Sequence, residues 1–307
     1  MSTFSKVLEK GKLSLGLVFP IESYSGAIPK MEKQEELARY AEEIGLKSLW
    51  FRDVPFSDPT FGDVGQIYDP WVYITHIMNQ TKSIALATGS IILPLRHPVH
   101  TAKSINSIQT LSKGRLLLGV ASGDRPNEYP AFKKDLHNRS ELFRDNYNYI
   151  KALQSKFPVY QSEHYGSLNG NIDLLPKHPT KIPMFVTGHS GQNLDWIAEN
   201  ADGWIYYPRN FYFLEQQMKD WKKSLAKYNH DWKPYLQSLY IDLMENDDQS
   251  PKNIHLGFKC GPSFLLNHLK LLENHGVNHV ILNLKYGSRP VEKVLEELSK
   301  NILPHFH

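Results

Sequence analysis

Two glycine-bearing turns carry the residue types that hold an anion. Thr187-Gly188-His189-Ser190-Gly191-Gln192-Asn193 lies between an apolar run and an amphipathic one. Glycines there let backbone N–H groups approach a phosphate, and a helix N-terminus adds a positive dipole. Ser190 and Asn193 can donate hydrogen bonds, and His189 can lend charge. Ala121-Ser122-Gly123-Asp124-Arg125 follows another apolar run. Each turn alone is equally consistent with ordinary capping; on neighbouring strands the two would clamp one phosphate. A third group, Trp50-Phe51-Arg52-Asp53-Val54-Pro55-Phe56, sets Arg52 and Asp53 at a strand end, as working groups or as a mutual ion pair holding the rim. Thr88-Gly89-Ser90-Ile91-Ile92 is small and apolar, and suits a flat ring lying against backbone.

Other chemistries lack their residues. The 14 histidines include no H-E-x-x-H, and the pair His97 and His100 has no supporting carboxylate, so no metal site is expected. The one cysteine, Cys260, excludes an intrachain disulfide framework and a Cys-based metal site. It sits beside Gly261-Pro262 at a predicted helix start, where a thiol pKa can fall, but a structural role is the better reading. There is no G-x-S-x-G elbow and no Walker-type loop. Lys285 is the one lysine close to a strand end, with nothing in the local sequence to activate it.

The elements that must position these turns recur in a regular scheme. Strand-like apolar runs occupy 13–19, 46–51, 83–88, 115–120, 182–187, 203–207, 235–244 and 279–284. Amphipathic helices are predicted over 30–44, 70–80, 99–111, 137–154, 190–200, 211–228, 262–274 and 288–300, with Ser190 and Ser288 as N-caps of two of them and Gly45 and Gly276 closing two others. Eight strand–helix units in 307 residues predict an α/β fold, a single (β/α)8 TIM barrel over 1–307 with insertions, against a usual barrel length of about 250. A doubly wound sheet is the competitor, disfavoured by the count and by the lack of G-x-G-x-x-G after the first strand. Insertions fall at 54–69, 157–181 and 246–259. The first and third follow strands and are candidate walls of a substrate pocket; the second reads as a surface hairpin. A formal charge of +3 offers no footprint for nucleic acid, and apolar runs stay far below the roughly 20 residues of a membrane span. With no apolar leader after Met1, a cytoplasmic protein is expected.

At these turns the sequence resembles the bacterial-luciferase-like flavin monooxygenases. The resemblance is carried by residues 84–99, continued by 107–123 with Ser112-Lys113-Gly114-Arg115, by 42–53, by 183–203 with its Gly-x-Ser turn and Ala-Asp-Gly, and more weakly by 276–284. It is colinear over nearly the whole chain. It implies a luciferase-like barrel that binds reduced FMN at the C-terminal ends of its strands, with a deazaflavin as the less expected cofactor. A non-prolyl cis peptide beneath the ring would match Gly89-Ser90, and the phosphate would be held by Ser122, Gly123, Asp124, Gly188, His189, Ser190 and Asn193. A homodimer through helices two and three, and a separate flavin reductase as partner, are further implications. This chain departs where luciferases carry two histidines, having Val54-Pro55, and it has Ser122 in place of a phosphate-gripping arginine, with Arg125 three residues later. These departures argue against light emission and leave Arg52 and Asp53 as the candidate catalytic groups. The expected function is a monooxygenase acting with dioxygen on a small organic substrate. Alternatives are deazaflavin-dependent hydride transfer, a non-catalytic flavin-binding barrel, and a cofactor-free barrel lyase or isomerase.

Overall fold

The computed structural model describes residues 2–247 and 249–307; Met1, in the N-terminal segment, and Asp248, in the 246–259 insertion, lie outside the described residues. Eight strands form the frame: Ser14–Val18 (β1), Ser48–Phe51 (β2), Ala85–Thr88 (β3), Leu116–Ala121 (β4), Met184–Thr187 (β5), Gly203–Tyr206 (β6), Tyr235–Leu243 (β7) and His279–Asn283 (β8). Each pairs in parallel with the next, and β8 pairs with β1, so the sheet closes on itself as a (β/α)8 barrel. Eight helices cover it: Gln34–Glu43 (α1), Pro70–Met78 (α2), Pro98–Leu111 (α3), Arg139–Ala152 (α4), Leu194–Asn200 (α5), Phe211–Lys227 (α6), Pro262–Asn274 (α7) and Val291–Glu297 (α8).

The strands are apolar on both faces because both are buried. Val18, Trp50, Ala85, Ala87, Leu117, Phe185, Ile205, Leu236 and Ile281 pack inside the barrel. Their neighbours in sequence, such as Leu17, Leu49, Leu86, Leu118, Val186 and Leu282, pack outward under the helices. This is the two-residue alternation of a pleated strand. The bottom of the barrel is closed by a short helix, Thr3–Val7, whose Phe4 ring stacks 6.2 Å from Phe185. Just above it, at the first residues of three strands, buried His279 bonds Ser14 Oγ and Ser48 Oγ, each at 2.7 Å. Gly16 passes so close that a Cβ there would lie 2.1 Å from Ser48 Oγ, so no side chain fits.

Two predicted caps are corrected. Helix α5 starts at Leu194 with Asn193 as its N-cap, whose side chain accepts from Trp196 N; Ser190 belongs to the preceding turn, with a left-handed backbone (φ 49°). Ser288 does not cap the last helix, which begins at Val291 after Pro290; its N–H and hydroxyl bond Asp242 instead. Helix α1 begins four residues later than predicted, because Met31 and Lys33 both have positive φ. Residues 157–181 contain the antiparallel hairpin Val159–Ser162 with Gly166–Asn169. The third insertion holds structure that the sequence did not signal: Gly257–Cys260 runs parallel to the second half of β7, with Lys252–Ile254 antiparallel to it. Among the described residues no helix is long and apolar enough to cross a membrane.

Candidate functional site at the mouth of the barrel

The turns after β3, β4 and β5 meet at the C-terminal rim. Ser122 N donates to Ser190 Oγ at 3.1 Å, and Ser190 Oγ donates to Thr187 O at 2.8 Å. Ser90 and Thr187 share a hydroxyl–hydroxyl hydrogen bond. The peptide joining Gly89 and Ser90 is cis. Gly188, Ser190 and Gly191 all have positive φ, which curls the chain after β5 into an open turn. Apart from its two chain neighbours, no described residue places a heavy atom within 4 Å of where a Gly188 side chain would begin. Ser90, Ser122 and Ser190 are buried, while His189, Asn193 and Asp124 are exposed. The His189 ring lies 5.5 Å from Trp204 and 5.6 Å from Tyr206. Helix α4 braces the same turn: Ser140 Oγ donates to Gly191 O, and Arg144 Nε donates to Gln192 Oε1. Nine of the residues singled out in the sequence therefore share one rim, built from backbone amides and hydroxyls with an arginine behind them.

Arg52 and Asp53 do not pair with each other. Asp53 is buried and accepts from Arg96 Nε and Nη2, both at 2.7 Å, and from Ile92 N at 3.0 Å. Arg96 Nη2 also reaches Asp69, the N-cap of α2. Arg52 turns to the insertion after β2, where Nη1 and Nη2 donate to Asp63 at 2.8 and 3.3 Å. Tyr24 OH donates to the same carboxylate at 2.6 Å, and Lys285 Nζ stands 3.6 Å away. Burial alone would raise Asp63; the Arg52 charge and the surrounding hydrogen bonds outweigh it and hold the carboxyl at about 2.

Residues 54–69 thus form a lid across the mouth, docked on the segment that follows β4. Arg125 bonds Asp63 O and lies 4.8 Å over the Phe61 ring. Asn127 Nδ2 donates to Asp58, and the Phe132 and Phe56 rings meet edge to face. Glu128 is buried, and its Oε1 has no hydrogen-bond partner among the described residues. Burial, then the nearby Asp53 and Asp124, raise its carboxyl to about 7 against the opposing pull of Arg125 and a hydrogen bond from the Phe56 backbone. Lys285, buried at the end of β8, donates to Gly26 O and Gly62 O and is pushed down by burial. Cys260 is buried and its thiol is pushed up to about 12, which leaves it protonated. Among the described residues no three His, Cys, Asp or Glu side chains gather as a metal-ligand set.

Sequence reasoning missed Asp63, Tyr24, Arg96 and Glu128. Asp63 lies in a glycine turn of its own, between Gly62 and Gly65, but inside an insertion read only as a candidate pocket wall; Tyr24, Arg96 and Glu128 have no such local signal.

A family model described as luciferase-like monooxygenase matches residues 13–249. Among relatives, an alkanal monooxygenase alpha chain from Photorhabdus luminescens is 24% identical over 230 residues, 73% of this chain and 62% of its own length. Solved structures share the fold. The monooxygenase RslO1 from Streptomyces bottropensis superimposes with a TM-score of 0.79 at 15% identity, over 95% of this chain and 99% of its own. An F420-dependent secondary alcohol dehydrogenase, solved with an F420-acetone adduct, gives 0.78 at 16%, over 95% and 98%. The oxygenating constituent of 3,6-diketocamphane monooxygenase from Pseudomonas putida, solved with FMN, gives 0.75 at 16%, over 96% and 99%.

Proposed function

The chain belongs to the luciferase-like monooxygenase family, and from that premise we propose that it is a flavin-dependent oxidoreductase, a monooxygenase that uses reduced FMN and dioxygen on a small organic substrate. The observation that carries the reading is the pair of turns after β4 and β5, joined by the Ser122–Ser190 hydrogen bond at the mouth of a closed barrel. An open turn of three positive-φ residues, with hydroxyls and an arginine-braced back, is a donor set suited to a phosphate.

In this reading Ser122, Gly123, Asp124, Gly188, His189, Ser190 and Asn193 surround the FMN phosphate, and Gly89 and Ser90 face the ring. Bound flavin would supply the redox chemistry; the protein supplies binding, orientation and a dry site. Asn193 spends Oδ1 on its cap, leaving its NH2 group to donate outward. Asp53 has both oxygens engaged and works by position, fixing Ile92 and Arg96 beside the cis peptide. Arg52 and the lid cover the substrate side. Reductant comes from a separate flavin reductase, and the chain forms a homodimer through α2 and α3.

Titration with oxidised and reduced FMN, followed by fluorescence, tests the reading. Reduced FMN is expected to bind tightly, and N193A to weaken it by about 1 kcal/mol for the lost hydrogen bond. Binding of F420 with no binding of FMN in either redox state would overturn it in favour of hydride transfer. Tight binding without substrate-dependent oxygen uptake would reduce the protein to a flavin carrier.

A further inference from the structure

The lid's Asp63 carboxylate is held in a receptor whose side chains all come from other elements. Arg52 comes from the end of β2, Tyr24 from the loop after β1 and Lys285 from the end of β8. The lid adds only its own Gly65 N–H, at 2.9 Å. Two cations thus surround one carboxylate. Arg125 stands behind them on Asp63 O, where Asp58 and Glu128 share its charge. Arg52 Nε, buried under Gly65, has no hydrogen-bond acceptor among the described residues. The walls are aromatic: Lys285 Nζ lies 4.6 Å over the Tyr24 ring and 5.9 Å over Tyr286, which meets Tyr240 at 5.2 Å. A receptor with surplus positive charge, supplied by rigid strand ends and filled by a carboxylate from a surface loop, is preorganised for an anion that arrives from outside.

We propose that this pocket is the subsite for the anionic group of the substrate, an aromatic monoanion of carboxylate size, and that Asp63 occupies it as a stand-in until substrate displaces the lid. Arg52 offers a planar fork to a carboxylate, and the tyrosine faces take the attached ring. The inference rests on the monooxygenase reading for the word substrate, but its test contains no flavin.

The probe is benzoate, with benzamide as its neutral isostere, added to the purified full chain. The D63A variant, whose pocket has lost its internal anion, is expected to bind benzoate about tenfold more tightly than wild type, since the competing lid carboxylate is gone. Its melting temperature is expected to rise with benzoate and not with benzamide, and R52Q/D63A is expected to lose that selectivity. Equal responses to benzoate and benzamide, or none to either, would overturn the proposal. If D63A does not fold, wild type answers the same question. The lid has chymotryptic sites at Phe56, Phe61 and Tyr68, and benzoate but not benzamide should accelerate cleavage there. Unchanged cleavage sinks the proposal. Loss of FMN binding in the earlier titration would leave these outcomes intact, so the two failures are distinguishable.

Discussion

Burial raises the Glu128 carboxyl to about 7, so the folded protein holds that proton more tightly than the unfolded chain does. The resulting stability is present at and below the ordinary carboxylate range and is lost as pH rises through about 7. E128Q keeps the neutral shape at every pH. Its melting temperature is expected to match wild type near pH 4 and exceed it near pH 8; an equal difference at both would refute the assignment. His279 behaves in the opposite sense. Burial lowers it to about 3, while the unfolded chain takes up a proton below its ordinary value of 6.5. Stability is therefore lost as pH falls from that value toward 3, at about 1.4 kcal/mol per unit. H279Q, which takes up no proton, is expected to be less stable than wild type by about 2 kcal/mol at pH 7 for the lost hydroxyl bonds. The gap should narrow at pH 5, as urea unfolding at the two values would show. Ser122 and Ser190 were legible in the sequence because their setting is local, a glycine turn after an apolar run. Tyr24 and Asp63 were not, because 39 residues separate them and only the folded rim makes them partners.

Two elements, a turn before β4 and the lid, hold neighbouring parts of the barrel in place. The Ser112-Lys113-Gly114-Arg115 turn, which carried part of the family resemblance, has a structural job. Arg115 is buried, donates to Thr81 Oγ1 and Ile84 O, and reaches Met78 O at the C-terminus of α2. Burial lowers its pKa, yet the guanidinium stays charged and tethers that helix to β4. R115L should cost about 3 kcal/mol in denaturant unfolding, since charge-assisted bonds are lost and carbonyls are left buried. The lid is the second. N127A removes the Asn127–Asp58 bond and should speed chymotryptic cleavage of the lid about fivefold, the ratio that about 1 kcal/mol of docking energy allows. An unchanged rate would mean that the lid opens by a route that leaves this contact intact. The cap of α5 shows why helix starts read poorly. Ser190 and Asn193 are both good caps by type, and the left-handed φ of Ser190 decides between them only once the turn exists.

For the whole molecule, the eight-fold scheme was legible because every strand of a closed parallel barrel is buried on two faces and reads as a solid apolar run. The lid network and the added strand Gly257–Cys260 were not, since they depend on which loops meet across the mouth and along β7. Val72 on α2 and Leu111 at the end of α3 are exposed by 68% and 65%, and Ile67 and Tyr68 flank the same helix. Such apolar surface supports the proposed dimer face. Sedimentation should find a dimer for wild type and a monomer for V72E/L111E, and a wild-type monomer would end the proposal. The bottom of the barrel carries a consequence for synthesis. Ser14 and Ser48, near the start of the chain, receive their partner His279 only when the last strand has been made. During translation β1 therefore waits with an unpaired edge through most of the polypeptide. A chain that lacks β8 leaves that edge of β1 open, and an open strand edge is a template for pairing with another chain.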